Sequence, residues 1–227
     1  KNKLDKTEPY SAKVIRQLQE LGYNVKPHII DFSKFGVPQR RNRFILVGVQ
    51  NEYGSPELFE SLLETTKSAF LQQKGLNEHT SLEEAISDLL RSNGESPTPD
   101  RKGFMSGKYG EIASNYQKLM RGDYDETHSL PDSHSFARHT PEKTACFQYL
   151  LDRCPARGKR IDGDSRQEWN IKQRGITVLD PRAISPTITG HPDDYLHYCE
   201  PRIMTVRECA RIQSFPDWYE IKMKYTT

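Results

Sequence analysis

Gln39, Arg41 and Arg43 stand at alternate positions of Phe35-Gly36-Val37-Pro38-Gln39-Arg40-Arg41-Asn42-Arg43. On an extended backbone that spacing places all three side chains on one face. Arg43 leads directly into the apolar stretch Phe44-Ile45-Leu46-Val47, which anchors it at the mouth of a strand. A guanidinium is planar, always charged and forked, so two of them there suit phosphate oxygens or a polarised carbonyl. The same pattern fits a basic strand end paired with nearby carboxylates. Toward the other end, Thr205-Val206-Arg207-Glu208 has capping-box spacing, with the Thr205 hydroxyl for the Glu208 amide and the Glu208 carboxylate for the Thr205 amide. A helix start of this kind also suits a phosphate group. Arg153, Arg157, Lys159 and Arg160 form a third basic group, which fits phosphate tracking and a solvated loop about equally.

The elements that must position these groups follow from periodicity. Val14, Leu18 and Leu21 fall at i, i+4 and i+7, which predicts an amphipathic helix over residues 11–22, with Ser11 at its start and Gly22 at its end. Strands are expected at about 25–32 and 43–49. The short Gly36-Val37-Pro38 connection makes them antiparallel neighbours, and the second strand needs cover on both faces. Ser81-Leu82-Glu83-Glu84 is a second capping box, opening a helix that carries Ile86, Leu89 and Leu90. Residues 92–108 read as an exposed loop. A short helix is expected near 111–120, and another from Thr140-Pro141 to about Arg153. Residues 154–175 read as a basic loop, and a last helix runs from Thr205 to about Ser214.

The 227 residues carry 33 basic and 31 acidic side chains, a net charge of +2, with 34% hydrophobic and 28% charged residues. The distribution says more: residues 1–50 hold ten Lys/Arg against four Asp/Glu, whereas 51–100 hold three against ten. A basic segment beside an acidic one points to two surfaces with different tasks. The longest apolar run, Phe44–Val47, is far short of the roughly 20 residues of a membrane span, and no secretory leader is visible. A cytoplasmic protein without membrane association is expected. Cys146, Cys154, Cys199 and Cys209 lack paired spacing and suit reduced thiols. His134, His139, Cys146 and Cys154 match no common zinc spacing, so no metal is expected.

The segment ending at Arg43 resembles the Q-x-R-x-R motif of cytosine-5 DNA methyltransferases. The stretch from Arg202 to Asp217 is similar to that family's next motif, R-x-L-T-x-R-E-x-A-R-x-Q-x-F-P-D, with Met204 in place of Leu. Ser185-Pro186-Thr187-Ile188-Thr189 resembles its P-T-I-T stretch, and Leu21-Gly22-Tyr23 resembles the segment ahead of the first motif. The matches cover about 10–50 and 180–220; the middle corresponds to the family's variable target-recognition domain.

The resemblance implies an α/β fold in which residues 1–50 close a Rossmann-like methyltransferase sheet. Residues 51–175 then form a separate, irregular α+β target-recognition domain, and 176–227 return to pack on the catalytic domain. It implies methyl transfer from S-adenosylmethionine to C5 of a flipped cytosine in double-stranded DNA, in a bacterial restriction–modification system. Arg43 is expected at the cytosine O2, Arg41 organising the site and Gln39 supporting the turn. Thr205, Arg202, Arg157, Lys159 and Arg160 are expected at the DNA backbone, and Arg207, Glu208 and Arg211 as structural ties. The Pro-Cys nucleophile, the Glu-Asn-Val motif and the cofactor loop do not occur in this chain. The chain begins at Lys1 without Met, so a missing N-terminal catalytic half is expected as partner and as the main holder of the cofactor. A tRNA cytosine-5 methyltransferase and a DNA-binding subunit of a split enzyme are the alternatives.

Overall fold

The computed structural model describes residues 8–99, 101–169, 171–172 and 174–222. Helix α1 (Tyr10–Glu20) starts after Pro9 with no side-chain cap, so Ser11 is inside the helix rather than its cap. Gly22 takes φ 83° and turns the chain into β1 (Tyr23–Asp31). Asp31 caps a 3-10 turn, Phe32–Phe35, by accepting from the Ser33 amide. Gly36 (φ 76°) then reverses the chain, its α-carbon packed against Leu71 and Leu76. Strand β2 (Asn42–Gln50) runs antiparallel to β1, from Asp31 opposite Asn42 to Tyr23 opposite Gln50.

This register gives the two-stranded sheet two unlike faces. Helix α2 (Leu58–Lys74) covers one of them: the His28 ring lies 4.9 Å from the Phe59 ring, and Lys26 pairs with Glu57 and Glu60. The other face leaves Ile29 78% and Phe44 53% exposed. No residue of β2 is fully buried. The expectation of a strand covered on both faces is therefore corrected: α2 lies over the face of Lys26 and His28 and α1 packs against β1, but Ile29 and Phe44 stay exposed.

The next elements are α3 (Leu82–Ile86), opened by the Ser81–Glu84 capping box, and the hairpin β3 (Glu95–Pro97) and β4 (Met105–Gly107). The hairpin corrects the loop expected over 92–108; its strands are too short and too rich in Ser, Pro and Gly to show periodicity. Helices α4 (Asn115–Arg121), α5 (Tyr124–Thr127) and α6 (Pro141–Arg153) follow, with Ser114 and Thr140 as caps of α4 and α6. The basic stretch after α6 contains β5 (Arg160–Asp162) and α7 (Ser165–Glu168). Strand β5 pairs antiparallel with β6 (Gly175–Val178), which pairs in parallel with β7 (Tyr195–Leu196). Helix α8 (Val206–Ile212) comes last, behind the Thr205–Glu208 capping box.

Two cores form. One joins Leu82, Ile86 and Leu89 to Tyr116, Met120, Leu179, Met204 and Ile212; the other joins Phe147 and Leu150 to Ile161, Ile176, Val178 and Leu196. Helix α8 belongs to the first core and packs on α3. The return segment therefore does not pack broadly on residues 10–50 as expected. Its helix is built into the middle region, and its seam with the N-terminal layer runs through Pro38–Arg40.

Candidate functional site

That seam is made of backbone. Gln39 and Ser185 form a parallel bridge, the Arg40 amide donates to the Ser185 carbonyl at 2.8 Å, and the Ser185 amide donates to the Pro38 carbonyl at 2.9 Å. The Thr187 hydroxyl donates to the Arg40 carbonyl at 2.6 Å. The start of α3 joins them, since the Leu82 and Glu83 amides donate to the carbonyls of Ala183 and Pro181. Three segments remote in sequence thus hold the chain around Gln39, Arg41 and Arg43.

Gln39 is fully buried; its Oε1 accepts from Arg41 Nη1 at 3.4 Å, and its Nε2 has no partner among the described residues. Arg41 and Arg43 are half-buried. Arg43 Nη1 donates to the neighbouring Asn42 carbonyl at 2.8 Å, so the structure joins Gln39 to Arg41 but leaves Arg43 apart. Neither guanidinium is paired with a carboxylate among the described residues. The basic-strand-end reading fails on that point, and both charges stay available to an anionic or polarised ligand.

The other predicted contact residues are placed differently. Thr205 is buried, its Oγ1 accepting from the Glu208 amide at 3.2 Å and lying 2.8 Å from His134 Nδ1. His134 Nε2 faces the Leu89 carbonyl at 2.8 Å and must carry the ring proton, so the Thr205 hydroxyl donates to Nδ1. With the hydroxyl doubly engaged, the phosphate role expected of Thr205 is withdrawn. Arg202 is buried too: it forks onto Glu208 at 2.8 and 2.6 Å and reaches Glu200 at 2.6 Å, which corrects its expected place at the DNA backbone. Arg157 donates to the Tyr198 and Leu151 carbonyls, and Arg160 bonds Asp194 and Asp162. Both hold their own fold together, contrary to the phosphate-tracking expectation. Lys159 is exposed.

Helix α8 is a buried ionic hub that sequence reasoning found only on its own side. Arg207 bonds Asp132 Oδ2 at 2.8 Å and the carbonyls of Asp132, Pro216 and Tyr219. Arg211 meets Asp88 at 2.9 and 3.1 Å and Asp217 at 2.7 and 2.6 Å. Burial alone would raise the pKa of Glu208, but the Arg202 guanidinium outweighs it and holds the carboxyl well below its usual range. Desolvation pulls His134 down to about 4 and His197 to about 3, with Arg202 adding to the latter. His197 Nδ1 accepts from the Cys199 and Glu200 amides, so its Nε2–H faces Glu208 at 3.7 Å as a neutral donor rather than an ion-pair partner. Asp88, Asp132 and His197 went unrecognised, and His134 was weighed only as a metal ligand; the one signal for Asp88 was an acid set within the apolar positions Ala85, Ile86 and Leu89.

Among the described residues no helix is long and apolar enough to cross a membrane, and no cluster of side chains could hold a metal. The model of the C-5 cytosine-specific DNA methylase family matches residues 3–227. The type II methyltransferase M.DdeI of Desulfomicrobium norvegicum is 28% identical over 98% of this chain and 52% of its own length. The type II methyltransferase M.XorII of Xanthomonas oryzae is 26% identical over 94% and 48%. The chain spans about half the length of these curated relatives. A solved structure described as a DNA modification methyltransferase encoded within an E. coli prophage matches with TM-score 0.58 at 20% identity, over 94% of this chain and 56% of that one, a likeness of fold. With a family match over essentially its whole length, and the Gln39 backbone bridged to Ser185 just ahead of Arg41 and Arg43, this chain belongs to the C-5 cytosine-specific DNA methylases.

Proposed function

We propose that this chain is the target-recognition and return portion of a DNA (cytosine-5-)-methyltransferase of restriction–modification type. In this reading residues 1–50 end the catalytic domain, 51–175 recognise the target, and 176–227 lead back. The observation that carries it is the pair of half-buried guanidiniums, Arg41 and Arg43, unpaired by any carboxylate among the described residues and following directly on Pro38–Arg40, whose backbone is bonded to the Ser185–Thr187 segment. Cytosine C5 is a weak nucleophile inside a stacked duplex, so the base must be flipped out and read on its edge. Addition of a thiolate to C6 makes C5 enamine-like and gathers negative charge on the O2/N3 side. A cation fixed there is worth more in the transition state than in the ground state. Arg43 takes that role toward O2, Arg41 organises the site, and Gln39 restrains Arg41 through its carboxamide.

S-adenosylmethionine supplies the methyl group when bound. The family's F-x-G-x-G cofactor loop does not occur in this sequence. We therefore assign cofactor binding, with the thiol nucleophile, mainly to sequence outside this chain. That missing half is also the partner we assign to the open face of β1 and β2.

Two tests follow. The 227-residue chain alone should transfer no methyl group to duplex DNA; measurable turnover would remove the need for a second half. In the enzyme completed by its catalytic half, Arg43→Ala should slow single-turnover methylation about 100- to 1000-fold and change DNA affinity far less. Weakened binding with an intact single-turnover rate would make Arg43 a phosphate clamp instead.

A further inference from the structure

A cleft of about 670 Å³ lies between the β3–β4 hairpin and the strand-like segment that leads into α6, away from Arg41 and Arg43 in sequence. Arg91, Met105, Phe136, Arg138, His139 and Glu200 line it. Its cations are organised by two rings. Arg91 and Arg202 stand 4.6 and 4.7 Å from the Phe136 centroid, and Arg101 and Arg138 stand 3.8 and 4.6 Å from that of Phe104. A guanidinium laid on an aromatic face keeps its N–H edge free to donate while its flexible stem is restrained.

Arg202 is buried and committed to Glu200 and Glu208, so it sets the positive background without reaching a ligand. Arg91 and Arg138 are exposed. Arg138 donates to the Gly103 carbonyl across the hairpin and pairs with no carboxylate among the described residues. Arg91 pairs with Glu95 on the surface, a contact of the kind worth little in water and readily exchanged for a phosphate. Glu200, the cleft's own carboxylate, is bonded to Arg202 and to the Arg91 amide. His139 Nε2 accepts from the Ile203 amide, which leaves its proton on Nδ1.

We infer that this cleft clamps the phosphodiester backbone of duplex DNA, with Arg91 and Arg138 as the two phosphate ligands. The site deepens the DNA reading above and rests on it. Each clamp neutralises one phosphate, and the loss of each reduces the salt slope of binding by roughly one unit.

The test is fluorescence anisotropy of a labelled duplex with the 227-residue chain over a salt series. The double variant Arg91→Ala/Arg138→Ala should lower the slope by about two units, whereas Lys74→Ala, at the end of α2, should leave it unchanged. Arg138→Lys, which keeps the charge, should restore one unit. Dicarbonyl modification of the unmutated chain, mapped by mass spectrometry, gives a readout independent of variant folding: duplex should protect Arg91 and Arg138. Duplex binding with an unchanged slope in the double variant and unprotected arginines overturns the clamp and leaves the DNA reading intact. Slope losses on single strands alone overturn a duplex clamp, and no duplex binding by the wild-type chain at any salt sinks the DNA reading itself.

Discussion

His134 and His197 sit with Glu208 and Arg202 at the point where the chain enters α8, and both are fully buried and neutral. Their folded pKa values, about 4 and about 3, lie below the roughly 6.5 of an unfolded histidine. Between those limits the unfolded chain binds protons that the folded chain refuses, so stability falls as pH drops from about 6.5. Two such groups give a slope near 2.7 kcal/mol per pH unit. Glu208 adds to the loss only below its unfolded value of about 4.5, where its ionised form stops contributing. Urea unfolding between pH 6.5 and 5 should therefore weaken steeply, and His197→Asn should halve the slope. A flat profile would mean that water reaches these rings. Neither histidine announced itself as part of this cluster, because burial comes from elements far along the chain; the alternation of Gln39, Arg41 and Arg43 grouped those residues, and only the family resemblance gave them a role.

Helix α8 has seven residues, too few to persist by propensity. What holds it is side-chain attachment: the capping box fixes its start, and Arg207 and Arg211 bind Asp132, Asp88 and Asp217. Removing one member of a buried ionic cluster leaves its partners charged and unpaired. Arg211→Ala should accordingly cost about 3–5 kcal/mol, against less than about 0.5 kcal/mol for Lys159→Ala on the surface, as read from denaturant midpoints. Equal effects would show that Asp88 and Asp217 are satisfied by water. Both capping boxes were legible because each closes within four residues. The β3–β4 hairpin and β5 were not, since strands of three residues carry no period. The placement of α8 was misread for a related reason: its acidic partners Asp88 and Asp132 are remote in sequence, and nothing local distinguishes them from solvated acids.

At the scale of the whole molecule the two cores lie in the middle and return regions, and the N-terminal layer is thin. Helix α1 buries no residue completely, and β1 and β2 expose Ile29 and Phe44. Hydrogen exchange should find amides of α1, β1 and β2 opening well below the global unfolding energy, and those of α3 and α8 close to it. Uniform protection would mean that this layer is stabilised by something other than packing. The antiparallel pairing of β1 and β2 was legible from their short connection, but the exposure of Ile29 and Phe44 was not, because the apolar run Phe44–Val47 does not say what will cover it. The seam between Pro38–Arg40 and Ser185–Thr187 has a consequence for divergence. It closes one very long loop, and loop-closure entropy rises by only about 0.6 kcal/mol for each doubling of length. Insertions and deletions between the two sides are therefore thermodynamically cheap, and the intervening sequence is free to drift in size. That freedom is not uniform: a graft between the two sides must carry Asp88 and Asp132 with it, because without them Arg207 loses its close carboxylate and Arg211 keeps only Asp217. Transplants cut between residues 141 and 178 leave those acids in place but exchange most of the second core, so a replacement must again present apolar side chains to Leu196.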